Sequence, residues 1–265
     1  MRYWLVFDVE TVPDADAGRR WLHLDGGLAD RQVREMMMAA RRDQTGQSDF
    51  LKPPFHQVVA ISAALIDADG TMRRLGPLGQ PHDDEASLLR SFFQVIDEVK
   101  PRLVGWNSSG FDIPTILYRA MRHHIVAGSF YRFGEPYHGY RKRFDEESHL
   151  DLMDLLCGYG ASPRVTLDEM AAILAIPGKV GIDGSDVLTL FDEGNIARIR
   201  SYCSHDVLTT ALIFMHYAFH REWLDESKRL AFFRSARQCV LEGDEKIWGP
   251  YREAWQHRDP TFGTE

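Results

Sequence analysis

Residues 3 to 8, YWLVFD, leave the chain little choice: five aromatic or aliphatic side chains in a row, then a carboxylate. A continuous apolar run of this length reads as a buried strand, and the segments after it indicate what buries it. A long excursion follows in which 28–42 is helical, with Met36, Met37 and Met38 as an adaptable packing face, until FLKPP at 50–54 stops regular structure. QVVAISAALIDADGTMRRL at 57–75 reads as two strands around an Asp/Gly turn, hence a hairpin. A helix over 84–98 carries Leu88, Leu89, Phe92, Val95 and Ile96 at helical spacing, and Pro101 ends it before a short strand, RLVGW. Another helix starts near Ile113. Thr166, with Glu169 three residues later, opens a further one that runs to Pro177-Gly178. The last core helix, over 195–219, keeps Ile196, Ile199, Cys203, Val207, Ala211, Phe214 and Ala218 at helical spacing. Strands come early, with helices between and after them, which predicts an α/β fold with a mixed central sheet flanked by helices.

A chain of 265 residues fits one large domain or one domain with an appendage. The pattern predicts a domain over 1–221, with a helical insertion at about 14–52, and a C-terminal helical extension over 222–265. That tail is charged helix with scattered Trp223, Trp248 and Trp255, suited to packing on the core or meeting a partner. Cys157, Cys203 and Cys239 lie far apart, which excludes a paired zinc knuckle and gives no disulfide framework. A reducing compartment, no secretory leader and no membrane-length apolar run together predict a cytoplasmic protein. The formal net charge of −8 argues against nonspecific coating of nucleic acid but leaves room for a local basic groove.

Three acidic features carry chemistry. Side chains two apart on a strand share a face, so Asp8 and Glu10 can converge on one point, although a solvated strand end is the plainer reading. Asp112, in LVGWNSSGFDIPTILYRA, follows a strand and a Gly-containing turn and opens a helix, where capping is the plainer reading. Tyr202 and Asp206, in YCSHD, are four apart on one helix edge, where Tyr202 by itself reads as a packing residue.

As an ordered set, the three resemble the DEDD 3′–5′ exonucleases of the ribonuclease H-like fold, in the tyrosine branch that includes the proofreading domain of family B DNA polymerases. GWNSSGFDIPTI is similar to the second exonuclease motif of those polymerases, and the resemblance covers roughly residues 3 to 217. No polymerase domain accompanies it, as in stand-alone relatives of that exonuclease domain. The histidine branch needs a His five residues before the last Asp, where this chain has Ser201, and His205 faces elsewhere on the helix. Four carboxylates in one cleft need cations or shared protons, and all-oxygen ligands favour Mg²⁺ or Mn²⁺. The resemblance implies two such ions about 4 Å apart, bridged by Asp8. Glu10 and Asp206 would complete the first ion's ligands, Asp112 would support the second, and Tyr202 would orient water rather than act as base. It also implies a nucleic-acid 3′ end as partner and nucleoside 5′-monophosphates as products.

Residues 129–144, SFYRFGEPYHGYRKRF, interleave aromatics with Arg132, Arg141, Lys142 and Arg143, so that Tyr140 could stack on a base and Arg132 could follow a phosphate; the alternative is a surface loop anchored by its aromatics. Phe111 is a candidate wedge against the terminal base, with packing under the sheet as its alternative, Asn107 a strand contact or a brace for the turn, and Lys179 a reach from a Gly-rich turn to a phosphate. Asp151 is expected to cap a helix or lie near the cleft, and His123-His124 to be surface. The leading expectation is a metal-dependent exonuclease on single-stranded DNA ends. Its rivals are an exoribonuclease and a catalytically silent nucleic-acid-binding module.

Overall fold

In the computed structural model, which describes residues 3–134 and 137–258, the opening strand β1 (Tyr3–Pro13) is the middle of a five-stranded sheet. It runs five residues beyond the expected end at Asp8, because antiparallel pairing with β2 (His56–Asp67) continues to Pro13 opposite His56, past an irregularity between Glu10 and Thr11. Between the two strands lie α1 (Ala15–Leu22) and α2 (Asp30–Thr45), which bury Val33, Met37 and Leu51 in a small cluster of their own. Of the three methionines only Met37 is fully enclosed.

The hairpin forms as expected, β2 pairing antiparallel with β3 (Met72–Pro77). Helix α3 (Glu85–Val99) leads to β4 (Arg102–Gly105), which lies parallel to β1 with Val6 opposite Val104. Next come α4 (Asp112–Arg122), α5 (Gly128–Arg132) and β5 (His149–Asp151), which is parallel to β4 and completes the order β3-β2-β1-β4-β5.

The chain closes with α6 (Leu152–Leu156), α7 (Leu167–Ile173), α8 (Val187–Asp192), α9 (Ile196–His220), α10 (Glu226–Glu242) and α11 (Glu245–Arg258). The Thr166–Glu169 capping box is present. Helix α7 nevertheless stops before Pro177. Ala175 takes a left-handed φ of 55°, Ile176 N–H donates back to the Ala171 carbonyl, and Lys179 N–H donates to the Asp168 carboxylate. That is a Schellman-type ending, which turns the chain back over its own first turn.

Strand alternation sorts the core. Leu5, Phe7 and Val9 face α3 and α4, whereas Val6 faces α9 and the C-terminal helices. Asp8 and Glu10 share the parity of Val6, so the strand aims both carboxylates at α9. Phe232, Ala236 and Val240 of α10 and Trp248, Tyr251 and Trp255 of α11 join the same cluster as α9. Tyr251 Oη lies 3.1 Å from Thr209 Oγ1 on α9, and Ser235 Oγ of α10 accepts from Met72 N–H at 2.9 Å. With these helices over it, α9 is buried along most of its 25 residues.

A buried charge cluster ties the start of α1 to α3, α4 and β2. Arg119 of α4 donates to Asp14 (2.6 Å) and to both oxygens of Glu85 (2.7 and 2.6 Å), and Glu85 also accepts from Val58 N–H on β2. His123 is part of it, with Nε2 at 2.6 Å from Glu85, which gives a structural role to a residue expected at the surface. Each charge here has an opposite partner and further hydrogen bonds, the condition under which buried ions are tolerated.

Candidate active site

The turn before Asp112 is built by its neighbours. Gly105 is required because a Cβ there would lie 2.5 Å from Ser108, and Asn107 adopts a left-handed φ of 60° that asparagine tolerates well. Asp151 caps α6 and accepts from the backbone N–H groups of Asn107 (2.9 Å) and Ser109 (2.8 Å), so it braces the turn from outside. The side chain of Asn107 lies over Gly110 within the same turn. Asp112 does not serve as cap. Phe111 occupies that position, and Asp112 Oδ1 instead accepts from Val9 N–H at 3.2 Å, between the two acids of β1.

The carboxylates of β1, α4 and α9 sense one another. Burial raises the pKa of Asp8 well above its ordinary value, and the charges of Asp112 and then Asp206 raise it further. Burial does the same to Glu10, followed by the charges of Asp8, Asp206 and Asp112. Asp112 is pushed up to about 7 chiefly by burial, with Asp151 adding to it. Asp206 is also raised to about 7 by burial, against the lowering effects of the Tyr202 hydroxyl and of Lys179. Carboxylate oxygens of Asp8 and Glu10 lie within 4.8 Å of one another, so their charges repel unless a proton or a cation lies between them. Repulsion of this kind is what a divalent cation relieves, and all-carboxylate donors suit a hard ion. Asp8 and Glu10 thus lie together on β1 with the charges of Asp112 and Asp206 reaching them, and a carboxylate donor set of this kind fits a divalent metal.

Tyr202 is buried, and its hydroxyl stands near enough to Asp206 for each to shift the other. Burial, then the charges of Asp206, Glu10 and Asp8, raise its pKa far beyond neutrality, so it keeps its proton. His205 points away, its Nε2 donating to the Ile247 carbonyl of α11 at 2.6 Å.

Sequence reasoning missed Cys203. Counted as an apolar helix position, it aims its S–H at Asp8, 3.4 Å from the backbone oxygen and 3.6 Å from Oδ2, and its sulfur lies within 4.8 Å of carboxylate oxygens of Asp8 and Glu10. Its place three residues before Asp206 was the available signal. Burial pushes the thiol pKa up, with the charge of Asp8 adding, so it remains a neutral donor rather than a thiolate ligand. Replacing Cys203 with alanine should lower turnover by no more than about fivefold, the worth of one weak hydrogen bond. A loss as deep as that of a carboxylate variant, measured by mononucleotide release, would make the sulfur a ligand.

Beside Glu10 opens a cleft of about 490 Å³ walled by Met38, Phe50, His56, Phe111, Gly184 and Leu188. Phe111 lies 5.3 Å from the ring of Phe50 and 5.0 Å from that of His56. Burial lowers the His56 pKa to about 4, and the neutral ring accepts from Thr11 Oγ1 while its Nε2 faces the Leu51 carbonyl. Gly184 lies over Tyr202, because a Cβ there would stand 3.9 Å from the hydroxyl. Lys179, from the same turn, pairs with Asp183 at 2.7 Å and stands close enough to lower Asp206.

Two candidate substrate contacts lie elsewhere. Tyr140 is a core residue, stacked on Phe133 at 4.0 Å and on Phe130 at 5.1 Å, with its hydroxyl donating to the Pro101 carbonyl. That is the anchoring alternative, and it corrects the expectation of a base-stacking ring. Arg132 ends α5 and folds against Gly128.

A mixed sheet in the order β3-β2-β1-β4-β5, flanked by helices and carrying acids on its central strand, is the ribonuclease H-like α/β fold. The chain belongs to the family of predicted 3′–5′ exonucleases related to the exonuclease domain of PolB, whose model matches residues 48–255. That span contains Asp112, Tyr202 and Asp206 but begins after β1. The family B DNA polymerase of the hyperthermophilic archaeon Pyrobaculum calidifontis is similar in structure, with a TM-score of 0.51 and 19% identity over 97% of this chain and 29% of the polymerase. The chain thus spans less than a third of that polymerase. No curated protein matches the sequence. Exonuclease domains of this kind use divalent metals, in keeping with the acidic cleft. Among the described residues, no helix is long and apolar enough to cross a membrane.

Proposed function

We propose that the protein removes nucleotides from the 3′ end of single-stranded DNA by hydrolysing the terminal phosphodiester, with release of nucleoside 5′-monophosphates. In this reading Asp8, Glu10, Asp112 and Asp206 hold two divalent ions, Mg²⁺ or Mn²⁺. The observation that carries it is the pairing of Asp8 and Glu10 on β1 within reach of the charges of Asp112 from α4 and Asp206 from α9, all four with their pKa raised by burial. When bound, such ions activate water, stabilise the leaving oxygen and orient the phosphate.

The chain's own residues supply the rest. The protonated Tyr202 hydroxyl, beside Asp206, orients the attacking water. The largely apolar cleft of Phe50, Met38 and Phe111 takes the terminal nucleoside. His56, neutral at pH 7, forms wall rather than acid or base. Lys179 offsets part of the phosphate charge from the Asp206 side. Asn107 acts indirectly, through the turn that carries Phe111 and Asp112. The polymerase-like stretch GWNSSGFDIPTI favours DNA over RNA. Three free cysteines are in keeping with a reducing compartment such as the cytoplasm.

Incubation with single-stranded DNA, 3′-recessed duplex and RNA, each with Mg²⁺, Mn²⁺ or chelator, tests the reading. The expected result is metal-dependent release of mononucleotides from DNA 3′ ends. Trimming of RNA alone would make the protein an exoribonuclease, and binding without cleavage would make it a silent module. Tyr202→Phe should cut turnover by about 10 to 100-fold, the range of one positioned proton-handling group, with Mn²⁺ affinity unchanged in a titration. An unaltered rate would remove the water-orienting role.

A further inference from the structure

The turn of residues 107–111 is a ridge with a different surface on each side. Phe111 faces the apolar cleft beside Glu10, while Ser109 and Gly110 border a second groove of about 450 Å³. Ile113 and Leu117, on the helix that opens with Asp112, give this groove an apolar side, and Arg141, Arg143 and Arg164 line it with charge.

The guanidinium groups are held in place. Asp154, with its side chain 4% exposed, accepts from Arg143 in a two-point fork, Nε to Oδ2 at 2.7 Å and Nη2 to Oδ1 at 2.8 Å, and Arg164 Nη2 stands 3.5 Å from Oδ1. Arg143 and Arg164 remain 48% and 53% exposed, so each keeps N–H groups open to the groove. Arg141 lies over the ring of Tyr131, 4.8 Å from its centroid. Three cations against one carboxylate leave the groove with a net charge of +2, on a chain whose formal charge is −8. A fork fixed by a buried carboxylate loses little freedom on binding an anion, and planar guanidinium matches phosphate geometry.

We infer that this groove holds the phosphates of the nucleic-acid strand on the 5′ side of the nucleotide being removed, so that the strand crosses the 107–111 ridge with its 3′ end beside Glu10. The inference rests on the exonuclease reading for the location of the 3′ end. It assigns strand affinity, salt dependence and preference for longer substrates to Arg141 and Arg164. Arg164 comes from a segment in which the sequence shows no motif. A plain structural ion pair of Asp154 with Arg143 accounts for the fork but not for a second exposed guanidinium on the same carboxylate or for Arg141 beside them.

The test is Arg141→Glu combined with Arg164→Glu, leaving the Arg143 fork intact, with Arg141→Ala as a milder variant that removes the guanidinium lying over the Tyr131 ring. Binding of a fluorescent single-stranded 20-mer in Ca²⁺, read by anisotropy over a salt series, should weaken at least about tenfold in the double variant. The log–log salt slope should flatten by about 1.4, as two lost phosphate contacts on a single strand predict. Hydrolysis of thymidine 5′-monophosphate p-nitrophenyl ester, which has no upstream phosphate, should stay at the wild-type rate. Unchanged affinity and salt slope in both variants would overturn the inference, whatever their activity. Wild-type protein that binds the strand through these arginines but cleaves neither substrate would instead sink the exonuclease reading and leave the groove assigned.

Discussion

Asp8→Asn is expected to lower mononucleotide release in Mg²⁺ by at least about 10³-fold, equivalent to about 4 kcal/mol of transition-state stabilisation, and to make the metal-free protein more stable above pH 7. The two effects have opposite signs for one reason. Asp8 stands where the charges of Asp112 and Asp206, the neighbouring Glu10 and the hydrogen bond of Cys203 all reach it. An amide of the same shape keeps the packing and removes one of four mutually repelling charges, which relieves strain in the apo protein. The same amide is a poor ligand for a hard cation, so the ion that the acids are arranged to hold is lost. A carboxylate kept for structure would behave the other way: its amide would destabilise the fold and spare activity. Thermal melting in chelator and a mononucleotide-release assay, run on the same preparation, distinguish the two.

The second large effect is on stability against pH. Asp112 and Asp206 are raised to about 7, and Asp8 and Glu10 are raised as well. A carboxyl whose pKa is higher folded than unfolded binds its proton more tightly in the fold. Its contribution is therefore complete below about pH 4, the unfolded value, and is lost as the pH climbs through about 7. Chelator-treated protein should lose on the order of 2–4 kcal/mol between about pH 5 and 8, a fall in melting temperature of about 5–10 °C. Asp154, which its hydrogen bond with Arg143 holds below the usual range, is ionised throughout that window and adds no slope. Added Mn²⁺ competes with protons for the same oxygens, so the stabilisation it gives should grow over the same interval. In Asp8→Asn both the slope and the metal increment should shrink. A melting temperature flat across this range, with metal making no difference at pH 8, would mean that the acids do not interact as described.

Much of this site was legible before the fold. Period-two alternation put Asp8 and Glu10 on one face of β1, and an i to i+4 interval put Tyr202 and Asp206 on one edge of α9. Both are short-range geometry that sequence spacing specifies. The strand order was not readable residue by residue, yet the strands, the hairpin and the long helix fell within a few residues of where their patterns put them. The misses share a cause. Cys203 was read as apolar because helical periodicity says which side of a helix is buried but not what it is buried against. Met38 and Phe50 reach the cleft from α2 and the segment that follows it, and His56 from the first position of β2, none of which carries a motif. In 129–144 the aromatics and cations alternate without a regular period, so nothing in the sequence told that Tyr140 would turn inward while Arg141 and Arg143 turned outward. The end of α7 was overrun because Ala175 adopts a left-handed conformation that alanine seldom takes.

Crystals of the protein soaked in Mn²⁺ and measured at the manganese absorption edge test the central claim most directly. Anomalous density is expected between the carboxylates of Asp8, Glu10, Asp112 and Asp206, absent from the same map of Asp8→Asn. A wild-type map with no density among these four acids, at a Mn²⁺ concentration that supports hydrolysis, would contradict it.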